Sequence, residues 1–348
     1  LEQDATQVRY IIRRSLVYVV TLSVVTGLVL GLASDTVAEF LGEPGLTPLL
    51  LVGIGYVAFK AFSGHLSSIF QGFNRVTWSA TVNALSGVGR TVFAVVFVLL
   101  GFGALGVMLG YVAGFLLATG VGLVVLYTKF YSQFAETTTP EPGLSNRMLR
   151  YSVPLTAAKG ADVLDNKVDS ILIGALLNPT AVGFYIIAMQ VAVFVTVPAT
   201  AFGYTMSPTL GEQKARDSIS VASRLYEESL SYVLLVFVPA AVGIALIAGP
   251  LIELLFGAAY LPATPVLQVL SLFVLIHSIN TITSSGLDYL GQANNRAAAK
   301  IVMALTNVVL NIILIPVLGI TGAALATVVT YGGYTLANVY FIHRELKL

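Results

Sequence analysis

Apolar segments follow one another along this chain with hardly a break, and Lys and Arg occupy only alternate gaps between them. Ten runs are long enough to cross a bilayer: 15–33, 46–70, 77–100, 104–128, 151–177, 181–204, 231–249, 263–288, 297–317 and 320–342. A spanning helix needs about 20 mainly apolar residues. One set of gaps is basic, from Arg9, Arg13 and Arg14 through Arg75, Lys129, Arg147 and Lys214 to Arg344 and Lys347. The other set contains no Lys or Arg, only Asp35, Glu39, Glu43 and Glu253. Cationic loops stay in the cytoplasm. The pattern therefore predicts an all-α, polytopic membrane protein with about ten transmembrane helices and both visible ends cytoplasmic.

Composition narrows the function classes. With 57% hydrophobic and 10% charged residues, the chain is far from a soluble globular domain. Its net charge of +1 gives no reason to expect nucleic acid. There is no cysteine, hence no disulfide framework and no thiolate chemistry. Neither a phosphate-binding GxxxxGK[ST] nor an HExxH motif occurs, and no Cys/His metal cluster. We therefore expect no cofactor, no metal and no direct use of ATP. The acidic gaps 34–45 and 250–262 are short for an active site outside the cell, so a transporter is expected rather than an enzyme.

The segments 15–131 and 231–342 read as two copies of one four-span unit. Each second span ends in a short polar turn, Gln71-Gly72-Phe73-Asn74-Arg75 in one copy and Gly291-Gln292-Ala293-Asn294-Asn295-Arg296 in the other. A glycine pair opens each last span, Gly103 with Gly106 and Gly319 with Gly322. Small residues then recur every fourth position: Gly106, Gly110, Gly114, Ala118 and Gly122 in one, Gly322, Ala326 and Thr330 in the other. Such stripes let transmembrane helices approach closely, and packing is their expected role. Two more spans precede the second copy and none precedes the first, so a six-span repeat predicts two missing leading helices. The start at Leu1 rather than Met agrees. The expected organisation is an N-terminal lobe (1–131), a cytoplasmic linker (132–150) and a C-terminal lobe (151–348), parallel repeats around a central cavity. The second hydrophilic connection, 206–230, could form an amphipathic surface helix through Ile219, Ala222, Leu225 and Tyr226, but a passive linker is the preferred reading.

Four cations are not in loops. Lys60 and Arg90 lie near the middle of their spans, each on the order of 20 Å from the turn at Arg75. Lys159 and Lys167 lie within 151–177, which also holds Asp162, Asp165, Asn166 and Asp169. A charge at such depth costs at least ~2.5 kcal/mol and usually faces a cavity or a partner. On a helical wheel Ser152, Lys159, Asp162, Asn166, Asp169 and Ser170 share one broad face, Asp165 borders it and Lys167 points elsewhere. A cavity holding an anionic group and sugar hydroxyls, with Asp162, Asp165 or Asp169 coupling an ion, is one reading. Internal neutralisation, such as Lys159 with Asp162, is the other. His65 and His277 read as hydrogen-bonded packing residues.

Three stretches resemble a known family. Asp169-Ser-Ile-Leu-Ile-Gly174 with Ala181-Val-Gly-Phe-Tyr185 and Ala188 is similar to the seventh and eighth spans of polysaccharide-biosynthesis flippases. Asn307-Val-Val-Leu-Asn311 through Pro316, Gly319, Gly322 and Thr327 resembles their eleventh and twelfth. Gly249-Pro250 to Gly257, followed by Tyr260 and Pro265, resembles the ninth-to-tenth connection. These are Wzx-type flippases of the multidrug/oligosaccharidyl-lipid/polysaccharide (MOP) exporter superfamily. The resemblance implies a two-lobed alternating-access transporter in the cell membrane. Its substrate would be an oligosaccharide on a polyprenyl or dolichyl (pyro)phosphate, moved from the cytoplasmic to the outer leaflet. It implies membrane lipid and other glycan-assembly membrane proteins as partners. Lys60, Arg90 and Lys159, with Asp162, Asn166 and Asp169, fit the substrate-binding role by depth and charge. A cation-coupled drug or metabolite antiporter of the same superfamily is the alternative.

Overall fold

The computed structural model describes residues 7–134, 141–216 and 218–347. Within them run eleven α-helices: α1 (Val8–Phe40), α2 (Leu46–Gly72), α3 (Val76–Phe97), α4 (Gly103–Lys129), α5 (Leu144–Leu176), α6 (Pro179–Val195), α7 (Val197–Ala215), α8 (Ile219–Phe256), α9 (Thr264–Tyr289), α10 (Ala293–Leu318) and α11 (Ile320–Leu346). Among the described residues there is no strand. Six helical segments are long and apolar enough to cross a membrane, and the pair α6–α7, bent by 44°, makes a seventh. One of the six, Val76–Gln133, contains both α3 and α4. Straight, it would be about 87 Å long, but the chain turns back at Gly101, whose φ is 91°. The protein is thus a multi-pass, all-α membrane protein.

The expected run 181–204 is shared between α6 and α7. Pro198 has no N–H to offer the Phe194 carbonyl, and an interior helix without that bond bends. At the bend the Thr196 hydroxyl donates to Val193 O at 2.7 Å.

The connection 206–230 differs from the linker expected of it. Helix α7 continues to Ala215 and α8 begins at Ile219. Ala222 and Tyr226 are fully buried, and the Tyr226 hydroxyl lies 3.0 Å from Thr283 Oγ1 on α9. The apolar spacing of 219–226 therefore begins a 38-residue helix, while the polar positions turn outward, Arg224 pairing with Glu228 at 2.9 Å.

The chain forms two compact units, Leu1–Lys159 and Gly160–Leu348, divided within α5. In unit 1, α4 packs on α3 and α2, and α2 on α1. Leu66, Phe70, Val82 and Leu126 form its core with Val8 and Ile12. In unit 2, α9 is the central element, touching α6, α7, α8 and α11, while α10 packs on α11. Both are apolar outside: Leu32, Leu99, Leu246, Leu254 and Val317 are more than 70% exposed. Ser67, Ser79, Ser278, Thr283, Asn311 and Asn338 are instead buried. That inversion suits lipid as the solvent, where helices are joined by small and polar groups.

The repeat has matching backbone geometry. Gly103 (φ 53°, ψ −134°) and Gly319 (φ 61°, ψ −145°) turn α3 into α4 and α10 into α11 through the same conformation. Only glycine enters that region readily. Close approach follows each turn: a Cβ on Gly110 would lie 2.2 Å from Ala94 N, and one on Gly322 2.3 Å from Leu314 O. Helix α4 and its counterpart α11 thus lie backbone against backbone on their partners.

Candidate functional site

Unit 2 encloses a cavity of about 730 Å³ between α5, α6, α9, α10 and α11. That volume is in the range of small-molecule sites. Three cations line it: Lys167 of α5, and Arg296 and Lys300 from the first two turns of α10. Arg296 also pairs with Asp288 at 3.0 Å. The wall carries Phe273, His277 and Asn280 of α9 opposite Tyr331 and Tyr334 of α11.

Asp169 lines the cavity at the pole where α5 meets α6 and α10 meets α11. Its carboxylate accepts hydrogen bonds from three other helices. The Tyr185 hydroxyl of α6 donates to Oδ2 at 2.7 Å and the Thr327 hydroxyl of α11 to the same oxygen at 2.8 Å. The Asn311 amide of α10 donates to Oδ1 at 2.7 Å. Asn311 itself is fully buried, and its side-chain carbonyl has no partner. All four residues sit six or seven positions from the ends of their helices, about 10 Å deep. A carboxylate at that depth is tolerated because every contact is a charge-assisted hydrogen bond.

In unit 1 the two deep cations come together on one aromatic cluster. Tyr56 of α2 packs against Tyr111 and Phe115 of α4 with ring centroids 6.2 and 5.5 Å apart. Lys60 donates to the Tyr56 hydroxyl at 3.1 Å and lies 5.2 Å from that ring. Arg90 lies 5.5 Å from the Tyr111 ring and 5.2 Å from Phe115, with Nε donating to Ser86 O at 3.1 Å. Cation–π contacts of this kind hold a charge in an apolar setting without a carboxylate to neutralise it. Lys60 is exposed and Arg90 half-buried. His65 is a packing residue as expected, its Nε2 lying 3.0 Å from Ser15 Oγ.

Of the other expected site residues, Lys159, Asp162, Asp165 and Asn166 have side chains outside the described residues. Lys167 was expected off the polar face, yet it lines the cavity with Asp169. Successive helical residues turn by about 100°, which puts Ser170 between the two, and the cavity takes this whole arc of α5. Sequence reasoning also passed over Asn280, Tyr331, Arg296 and Lys300. The last two were read as ordinary cytoplasmic charges.

A multi-pass bundle with a cavity bearing charged and polar side chains among lipid-facing helices is the build of a membrane transporter. Residues 3–265 match the family described as "Polysaccharide biosynthesis protein"; the chain belongs to that family, as the residues at 169–185 and 307–327 led us to expect. It is 27% identical over 331 residues to the probable flippase AglR of Haloferax volcanii, covering 90% of this chain and 65% of that protein. The chain spans less than two thirds of the length of the curated relatives it matches, 60% and 65% for two of them. Its fold is that of an inward-facing multidrug resistance MATE family transporter of the MOP superfamily (TM-score 0.82, 14% identity, 99% of this chain and 82% of that one). It is also recognisable in the lipid II flippase MurJ (TM-score 0.75, 15% identity, 100% and 75%). At such identities these likenesses establish the fold alone.

Proposed function

We propose that this protein moves an oligosaccharide linked to a polyprenyl or dolichyl (pyro)phosphate from the cytoplasmic to the outer leaflet of the cell membrane by alternating access, with both visible ends cytoplasmic. The observation that carries this reading is the cavity of unit 2, which combines apolar walls with polar groups, is bordered by three cations and is set in a lipid-facing bundle. A lipid-linked glycan needs such a site, because its sugars and phosphate must be sheltered while its tail stays in the bilayer. Family membership supports it, as does the flippase named among the relatives. Lys60 and Arg90 are assigned the phosphate contact, each held against aromatic faces in unit 1. Lys159, Asp162 and Asn166 are proposed as further substrate-binding residues by their sequence alone. Asp169, with Asp162 and Asp165, is the candidate for coupling to a proton or sodium ion. We assign the chain no catalytic residue and no cofactor. Membrane lipid and other glycan-assembly membrane proteins are its partners.

A second reading, cation-coupled export of a drug or metabolite, draws on the same Asp169 cluster and on the MATE-like fold. The two separate in cells lacking the full-length gene. Flipping predicts lipid-linked glycan accumulating in the cytoplasmic leaflet, cleared by wild type and not by Arg90→Ala, with Arg90→Lys intermediate because a point charge replaces a planar fork. A normal outer-leaflet pool in cells with no second flippase refutes flipping. Sensitivity to lipophilic cations in those cells then establishes export.

A further inference from the structure

The mid-membrane wall of the unit 2 cavity is built from groups that neither the anion contact nor the coupling site uses. His277 lies near the middle of α9, about 20 Å from either end. Its ring stacks on Tyr331 with centroids 5.4 Å apart and planes 30° apart, and lies 5.1 Å from Phe273. Phe273 meets Tyr331 edge-on at 5.1 Å. One turn along α9, Asn280 donates to the Tyr331 hydroxyl at 3.2 Å, and its own carbonyl accepts from Asn338 at 2.8 Å. This relay fixes the tyrosine ring against the histidine. The wall is therefore a preformed aromatic cluster in which Tyr331 covers a face of the imidazole.

The imidazole has a direction. Its Nδ1 is enclosed and has no hydrogen-bond partner, while the residue lines the cavity. A buried N–H without an acceptor is among the rarest features of folded proteins, and an unused lone pair is more readily tolerated. The proton therefore belongs on Nε2, and the edge turned to the cavity is a donor.

We propose that this wall is a sugar subsite, in which His277 Nε2 donates to a pyranose hydroxyl while the sugar ring packs against the rim of the aromatic cluster that holds the imidazole. Sugars carry apolar C–H groups beside hydroxyls, and an aromatic rim with a fixed donor matches both at once. A lipophilic cation would also favour aromatic faces. Lys167, Arg296 and Lys300 outnumber Asp169 in the cavity lining, which disfavours such a cation. The inference deepens the flippase reading and rests on it for the identity of the glycan.

The test uses full-length protein in lipid nanodiscs and three probes: the glycan released by mild acid from the source cells' lipid-linked pool, a sugar-free polyprenyl phosphate, and tetraphenylphosphonium. His277→Phe keeps the aromatic surface and removes the donor. It should weaken binding of the released glycan about tenfold, as expected for one lost hydrogen bond, and leave polyprenyl phosphate unchanged. His277→Gln, which keeps an N–H, should lose less. If His277→Phe does not fold, Tyr331→Leu, which removes the facing plane, should weaken the same probe. Glycan binding indifferent to these changes overturns the subsite. So does a loss confined to polyprenyl phosphate, or a site that takes only tetraphenylphosphonium. Translocation in vesicles separates the two readings. Protein that binds glycan through His277 but moves no lipid-linked glycan refutes the flippase and keeps the subsite. Protein that moves it with His277-independent glycan binding does the reverse.

Discussion

Two alanines placed six residues apart on α4 should behave in opposite ways. Gly114 faces α3, and a Cβ there would lie 2.3 Å from Arg90 N, 2.8 Å from Arg90 Cα and 2.8 Å from the Gly89 carbonyl carbon. All three are backbone atoms, so no rotamer change relieves the clash. Ordinary carbon contacts are about 3.5–4.0 Å, which means α3 must retreat by on the order of 1 Å. Overpacking costs about 1–3 kcal/mol, and a rigid partner places Gly114→Ala at the upper end, about 3 kcal/mol. Alanine recovers about 1 kcal/mol over glycine in a helix, leaving a net loss of about 2 kcal/mol, a factor of about 30 in the folded-to-unfolded ratio. Gly120 is exposed, and its Cβ would meet nothing within 4 Å. Gly120→Ala therefore keeps only the helix term and should be neutral or stabilise by up to about 1 kcal/mol. Denaturant-induced unfolding of the purified protein in mixed micelles measures both. Variants that unfold within about 0.5 kcal/mol of each other would show that α3 and α4 do not touch through their backbones. The displaced residue carries the consequence into the proposed function: on the flippase reading, moving Arg90 off Tyr111 and Phe115 should reduce glycan flipping by Gly114→Ala in whatever protein survives.

The remaining predictions concern unit 2. Asp169→Asn keeps the shape and one acceptor and should preserve the yield of monodisperse protein while abolishing the ion coupling proposed for this residue. Asp169→Leu strands the Tyr185, Thr327 and Asn311 donors, each at about 1–3 kcal/mol; comparable yields for the two variants would refute a structural role for the cluster. Glu345 bonds Lys214 and accepts from Gln292 at 2.7 Å, and Lys214 donates to Leu290 O at 2.8 Å. The Lys214 ammonium hydrogen-bonded to it holds the Glu345 carboxyl below its usual range. A depressed folded-state value means stability that is complete above the ordinary glutamate pKa, ~4.3, and is lost as pH falls through the folded value. Melting scans from pH 7 to pH 3 should show a steeper acid loss for wild type than for Glu345→Gln, and parallel curves would refute the linkage.

What could be read from the chain, and what could not, divides along one physical line. The bilayer penalises each polar group singly, so depth alone singled out Lys60, Arg90 and Asp169. The same penalty made the spans legible, including the turn glycines Gly103 and Gly319 that open them. Pairing carries no such local signature. Asp169 finds its partners 142 and 158 residues away, at Asn311 and Thr327, and only packing determines which distant helix supplies them. A helical wheel likewise finds a polar face but not its width, which is why Lys167 was set apart from a cavity it lines. Boundaries failed for a related reason. Ile219–Tyr226 has the polarity of a surface segment, and its status as helix depends on Tyr226 finding Thr283 on α9. His277 is the clearest case. Alone on an apolar helix it reads as a packing residue; with Nδ1 sealed in and Tyr331 stacked on its face, one edge is left to meet a ligand. In such a bundle the costly residues announce themselves one by one, and their function lies in the neighbours that make the cost tolerable.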